Sequence, residues 1–212
     1  MTNNSIENDL DTIWQNPHFK DFCVHKYLYP EVKPNKDLLF IGINPSFNPN
    51  HLYINSYVVD EKENKNSFFK KYEEVANETY SSWTHIDLFY FRETVQNKIG
   101  SILKAQNGPE FLFWQLQLSD KLIKYANPKI IVVCNALARL FLGKEKDLEK
   151  NDKIWLGYDF EFSENIGTYY WNKTPVFFTG MLSGQGQMDK GSLERLKWHI
   201  RQIKATHFNN PL

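Results

Sequence analysis

Leu38-Leu39-Phe40-Ile41-Gly42-Ile43-Asn44-Pro45-Ser46 is the stretch from which the rest of the chain is best read. Its first four residues are apolar without a break, whereas a strand with one wet face alternates. The run is therefore expected to be a β-strand buried on both sides, as in a parallel sheet covered by helices. The five residues after it suit the exit from such a strand, where an α/β sheet opens into the crevice that binds ligands. Gly42 admits close approach to the backbone, Ile43 carries the apolar run on, and Pro45 stiffens the turn. Asn44 projects one acceptor and two donors that can orient a water, and Ser46 adds a hydroxyl. The same Asn-Pro-Ser also closes an Asx-type turn that needs no ligand.

Outward from this stretch, strand and helix signals alternate. Residues 1–36 read as a lead-in: a helix over about 6–14 capped by Asn4 and Ser5 and closed by Pro17, then an irregular stretch holding Pro30 and Pro34. Residues 48–66 read as a polar loop whose run DEKENKN is a solvated face. Ser67 is expected to cap the amphipathic segment FFKKYEEVANETY, and HIDLFYF (85–91) to form a second strand. Pro109 opens a long helix that Pro128 ends. KIIVVC (129–134) reads as a third strand, followed by a helix between Asn135 and Gly143. IWLGYDFEF and TYYW read as a hairpin or loose ribbon, and PVFFTG (175–180) as the last strand before a helix capped by Ser192. The expected fold is one three-layer α/β/α domain over 1–212 around a central, mostly parallel, four-stranded sheet.

Composition bounds the partners. The 212 residues carry 25 basic and 25 acidic side chains, so no global positive field draws DNA, and any nucleic-acid site has to be local. Aromatics at 16% serve packing first and offer base-stacking faces second. Cys23 and Cys134 cannot build a disulfide framework, which fits a reducing, cytoplasmic setting. The first residues lack the basic and apolar regions of a secretion signal, and no run reaches the roughly 18 apolar residues of a membrane span. No zinc, iron–sulfur, phosphate-loop, dinucleotide or serine-hydrolase spacing is present, so no cofactor or metal is expected.

Three segments in order carry a family likeness. GINPS (42–46) is similar to the Gly-Ile-Asn-Pro-Gly loop of the mismatch-specific uracil/thymine glycosylases and to the Gly-Met-Asn-Pro-Gly loop of the single-strand-selective ones. NPKIIVVCNALARLFLG (127–143) is similar to a Pro-Lys-strand-Gly-Asn-x-Ala-helix unit. PVFFTGMLSGQGQMDKGSLERLKWHI (175–200) occupies the place of a final strand, His-Pro-Ser loop and closing helix. From about Leu38 to Ile203, with gaps, the chain thus resembles the uracil-DNA glycosylase superfamily. The resemblance implies that fold and hydrolysis of the glycosidic bond of a flipped base. Its partner would be DNA, single- or double-stranded, or a small nucleobase-containing molecule, bound by a monomer.

By the same resemblance Asn44, with Ser46 beside it, positions the attacking water. Gly42, Ile43 and Pro45 stand on the substrate side of the loop, and Phe47 stands where a base can stack, with ordinary core packing as the structural alternative. His85 and Asp87 fall where the base is read, and strand alternation puts them on one face. A carboxylate beside His85 favours a cationic donor, while a cap or backbone hydrogen bond is the structural alternative for either residue. The second motif departs from the family: Gly180 to Gln187 contains no histidine. Ser183, Gln185 and Gln187 are the donors left there, or simply solvated residues. Losing such a donor typically costs about 2.7–4 kcal/mol of transition-state stabilisation. A catalytically altered member that binds a nucleobase, nucleotide or nucleic acid without excising it is therefore the alternative. Lys190, Ser192 and Arg195, with Lys197, Arg201 and Lys204, are the expected contacts to the DNA backbone. Arg92 reads as a phosphate anchor or as half of an Arg–Glu surface pair.

Overall fold

The computed structural model describes residues 3–51, 54–59, 67–95, 97–144, 154–184 and 186–208. In chain order its helices and strands are α1 (Asn3–Trp14), β1 (Tyr29–Pro30), β2 (Leu38–Gly42), β3 (Ser56–Tyr57), α2 (Lys70–Glu78), β4 (Trp83–Asp87), α3 (Asn97–Lys104), α4 (Gly108–Ala126), β5 (Ile130–Val133), α5 (Ala136–Leu142), β6 (Glu161–Ser163), β7 (Thr168–Trp171), β8 (Thr174–Phe178) and α6 (Lys190–Ile203). All of the solvated run 60–66, and all but Lys144 of the charged run 144–152, lies outside the described residues.

β2 is the strand its apolar run predicts, with Leu38 to Ile41 all buried. Leu39 and Ile41 join a core built with α4 and α5, while Leu38 and Phe40 join a second core built with α2 and α6. Helices thus cover both faces of the sheet. The sheet has six strands in the order β4-β2-β5-β8-β7-β6, not four. β4, β2, β5 and β8 run parallel, in register at Gly42 with Asp87 and at Ile41 with Val133. β7 and β6 then extend the sheet as antiparallel strands. Of the hairpin and the loose ribbon that the sequence leaves open, the hairpin forms, between Glu161–Ser163 and Thr168–Trp171. Its continuation into the main sheet depends on the tight turn at Asn172 (φ 48°) and Lys173 (φ 71°), which folds β7 back on β8.

Several local expectations shift. Ser67 begins a 3-10 turn rather than capping α2, which starts at Lys70 with no side-chain cap. Asp189, not Ser192, caps α6: its carboxylate accepts from Ser192 N at 3.0 Å. β4 begins two residues before His85 and ends at Asp87, because Leu88 and Phe89 leave the ladder to donate to the carbonyls of Gly42 and Ile43. The lead-in and the polar loop are less irregular than expected, since β1 and β3 pair in parallel, and α3 forms in a stretch that the sequence leaves unassigned. Among the described residues no helix is long and apolar enough to cross a membrane.

The connections place the site. The chain leaves β2 for α2 on one face and leaves β5 for α5 on the other, so the carboxyl ends of these neighbours flank the sheet's topological switch point. Gly42, Asp87, Cys134 and Thr179 all stand at this edge.

Candidate active site at the strand ends

Asn44 is held firmly. Its amide nitrogen donates to the carbonyls of Glu93 (2.7 Å) and Pro45 (3.1 Å), and Glu93 N donates back to Pro45 O at 3.0 Å. Two carbonyl partners demand the NH2 end of the amide. Oδ1 is left without a partner among the described residues, on a half-buried side chain. The loop is therefore more than a closed Asx turn: it ties the β2 exit to the chain after β4 and keeps one oriented acceptor free. Ile43 and Pro45 are buried and serve the core and this tie, and the Ser46 side chain is exposed. Phe47 is not core; its ring stacks on His25 with centroids 4.1 Å apart and planes at 19°, which occupies one of its faces.

His85 and Asp87 share a face, as alternation requires, and both are buried, at 1% and 5% exposure. Tyr57, from β3, bridges them: its hydroxyl lies 3.2 Å from His85 Nδ1 and 3.3 Å from Asp87 Oδ2. The third side is open. His85 Nε2 is 3.8 Å from Asp87 Oδ1, beyond a hydrogen bond, and it has no other partner. Phe69 and Tyr72 wall the imidazole edge to face, at 5.2 and 5.6 Å. Burial dominates the electrostatics, pushing Asp87 up to about 7 and His85 down to about 3. This reverses the expectation of a cationic His85, since desolvation outweighs attraction to a carboxyl that burial itself drives toward neutrality.

Gly42 has a different use from the one expected. A β-carbon there would fall inside the van der Waals shell of Asp87 Oδ1 and 3.1 Å from His85 Nε2, so the missing side chain makes room for the carboxyl rather than for a ligand. Cys134, at the end of β5, is buried, and burial pushes its thiol far up.

The loop after β8 is engaged with itself and with α2's approach. Met188 N donates to Met181 O at 2.8 Å, and the buried Ser183 donates its hydroxyl to the carbonyl of Phe68. Ser183 is thus not a free donor, but Phe68 is the neighbour of Phe69, so the loop abuts the wall of the His85 cluster. Gln187 is exposed, and Gln185 lies outside the described residues. Of the expected DNA contacts, Lys190 and Arg195 are exposed, while Ser192 is spent on Asp189. Lys197 is buried among Glu74, Glu78 and Glu194, Arg201 donates to Glu78 O, and Lys204 donates to Thr79 O and Tyr80 O. Arg92 is not on the surface, where an exposed Arg–Glu pair was expected. It is buried and donates to the carbonyls of Lys26, Tyr27 and Ile54.

An open cleft of about 430 Å3 between α4 and the β6–β7 region is less suited to chemistry. Its charged groups are already paired, Lys124 and Tyr158 with Asp120 and Lys144 with Asp159. The strand-end site instead holds an unpartnered buried nitrogen. Among the described residues no three His, Cys, Asp or Glu side chains are grouped to hold a metal ion. Nothing in a polar loop marks Tyr57 from sequence; the β1–β3 pairing carries it to the end of β4. Compared with models of known protein families the chain matches none, and no curated protein matches it either.

Proposed function

We propose that the chain is a hydrolase of N-glycosidic bonds of the uracil-DNA glycosylase kind, acting on an extruded nucleobase at the carboxyl ends of β2, β4 and β5. The carrying observation is Asn44. With both amide hydrogens committed to Glu93 and Pro45, its Oδ1 is a fixed acceptor at the switch point, suited to holding a water for attack on the anomeric carbon. The four adjacent parallel strands, with helices on both faces, support the resemblance in fold. The His85–Asp87 face supplies the polar groups that would meet a base, and Lys190 and Arg195 supply two exposed cations for the backbone. The test is incubation of the folded protein with uracil, hypoxanthine and thymine-mismatch oligonucleotides, single- and double-stranded, followed by alkali. Strand cleavage that disappears in Asn44→Ala is the expected result, and intact strands on every substrate would sink the hydrolase reading.

A second reading, binding without excision, is favoured by one observation: Ser183 is engaged with the Phe68 carbonyl, and no histidine stands between Gly180 and Gln187. It expects nucleobase affinity that survives Asn44→Asp, with no base released by the parent protein.

A further inference from the structure

We propose that Tyr57, His85 and Asp87 together hold one proton more than these side chains carry in water at neutral pH, and that this proton goes to the departing base. The inference rests on the hydrolase reading above and deepens it: the cluster is the site's acid, in place of the histidine that Gly180 to Gln187 lack.

The geometry requires a count. Three side chains meet in a ring of three edges: Tyr57 hydroxyl to His85 Nδ1 at 3.2 Å, Tyr57 hydroxyl to Asp87 Oδ2 at 3.3 Å, and His85 Nε2 to Asp87 Oδ1 at 3.8 Å. Each edge is attractive only with one hydrogen on it. A neutral imidazole brings one, a phenol one and a carboxylate none, so two hydrogens serve three edges. Whichever tautomer is drawn, one edge sets lone pair against lone pair, inside a region where unpaired polar groups are costly. The stretched Nε2–Oδ1 edge, with Nε2 unpartnered, is the one left open. A third proton on that edge replaces the facing lone pairs with an attraction across the 3.8 Å gap and leaves the cluster neutral.

The surroundings agree. Titratable groups facing the cluster are Tyr72 from α2, Tyr90 beyond β4 and Cys134 beyond β5, all neutral acids that burial pushes upward. Among the described residues none of these neighbours is a cation that would hold Asp87 ionised. Burial acts on the carboxyl in the same direction.

Placement makes the proton useful. Asp87 lies in register with Gly42, two residues before Asn44, so the chain from Gly42 to Asn44 spans at most about 7 Å. A water held by Asn44 and a proton held by Asp87 and His85 would thus both stand at the carboxyl end of β2, two residues apart along the chain. The water oxygen bonds the anomeric carbon as the carbon–nitrogen bond breaks and its electron pair passes to the base. The base takes the proton from the Nε2–Oδ1 edge, and the proton shed by the water restores the cluster. The products are the hydroxylated sugar and the neutral base.

The test compares single-turnover release of uracil and of 5-fluorouracil from one oligonucleotide sequence by the parent chain, by isosteric Asp87→Asn and by Tyr57→Phe. It is joined to carbon-13 titration of the aspartate carboxyls. Uracil release is expected to fall about 10²- to 10³-fold in Asp87→Asn. Release of 5-fluorouracil, which departs readily as an anion, is expected to fall less than about tenfold, and Tyr57→Phe to follow the same pattern more weakly. Equal losses on both bases would assign Asp87 a structural role and overturn the proposal. Release of neither base by the parent chain would overturn the hydrolase reading and the delivery step with it. The titration then judges the proton count by itself: the Asp87 carboxyl is expected to stay protonated past pH 6, and ionisation near the usual 3.9 overturns it.

Discussion

Gly42 and Asp87 are one choice made at two positions. The carboxyl lies where a side chain at 42 would begin, so Gly42→Ala is expected to destabilise the chain by about 1–3 kcal/mol through overpacking. Asp87→Ser is expected to recover part of that loss in the double variant, because the two sites touch. Chemical denaturation of the four chains of the cycle checks it. The pair Asp87 and His85 has a second signature, in pH. Asp87 is raised in the folded chain, so its contribution is fully present below the ordinary 3.8 and is lost as pH rises through about 7. His85 is depressed, so its contribution is present above the ordinary 6.5 and is lost as pH falls toward about 3. Between roughly pH 4 and 6.5 folding in effect moves a proton from His85 to Asp87, and the two slopes cancel. Relative to the parent chain, Asp87→Asn is expected to lose about 1.4 kcal/mol per unit as pH falls through this window, and His85→Gln the same as pH rises. Urea melts from pH 4.5 to 6 measure both, and parallel profiles in all three chains would contradict the burial of the pair.

The elements are joined by charges that the sequence presents as a surface patch. Lys197 of α6 has a side chain only 1% exposed and meets Glu74, Glu78 and Glu194 at 3.1, 2.9 and 2.7 Å. Arg201 and Lys204 bind carbonyls around the carboxyl end of α2, so three of the six expected DNA contacts instead dock the α6 end of the chain on α2. The glutamates are a third to a half exposed and can be rehydrated, which tempers the loss. Lys197→Ala is expected to cost about 2–3 kcal/mol. Arg195→Ala, on the exposed side, is expected to stay within about 0.5 kcal/mol. Thermal melts of both variants separate these outcomes. At the β7–β8 turn, Asn172 and Lys173 both hold positive φ, which a lysine adopts at a cost. Lys173→Gly is expected to stabilise by about 1 kcal/mol.

At the scale of the whole molecule basic and acidic side chains balance, and docking commits Lys197, Arg201 and Lys204 to α2 and the residues just after it rather than to nucleic acid. If Lys190 and Arg195 are the principal phosphate contacts, oligonucleotide affinity is expected to fall with salt at a log–log slope of about −2, read by fluorescence anisotropy. A slope steeper than about −5 would place the grip elsewhere. What the amino-acid sequence determined by itself was local: β2, β5 and β8 from unbroken apolar runs, α4 from Pro109 and its length, the shared face of His85 and Asp87 from a period of two, and Asn44 at a strand exit. Each depends on neighbours along the chain, where periodicity and capping act. The tertiary structure alone decided the six-stranded sheet, the burial of Lys197 and Arg92, the Asp87 carboxyl above Gly42, and Tyr57 between His85 and Asp87. Those depend on pairings across tens of residues, where one hydroxyl reaches a partner 28 or 30 positions away. Desolvation, which sets the charge of His85 and Asp87, has no sequence signature, because it arises only when Phe69, Tyr72 and the sheet close around them.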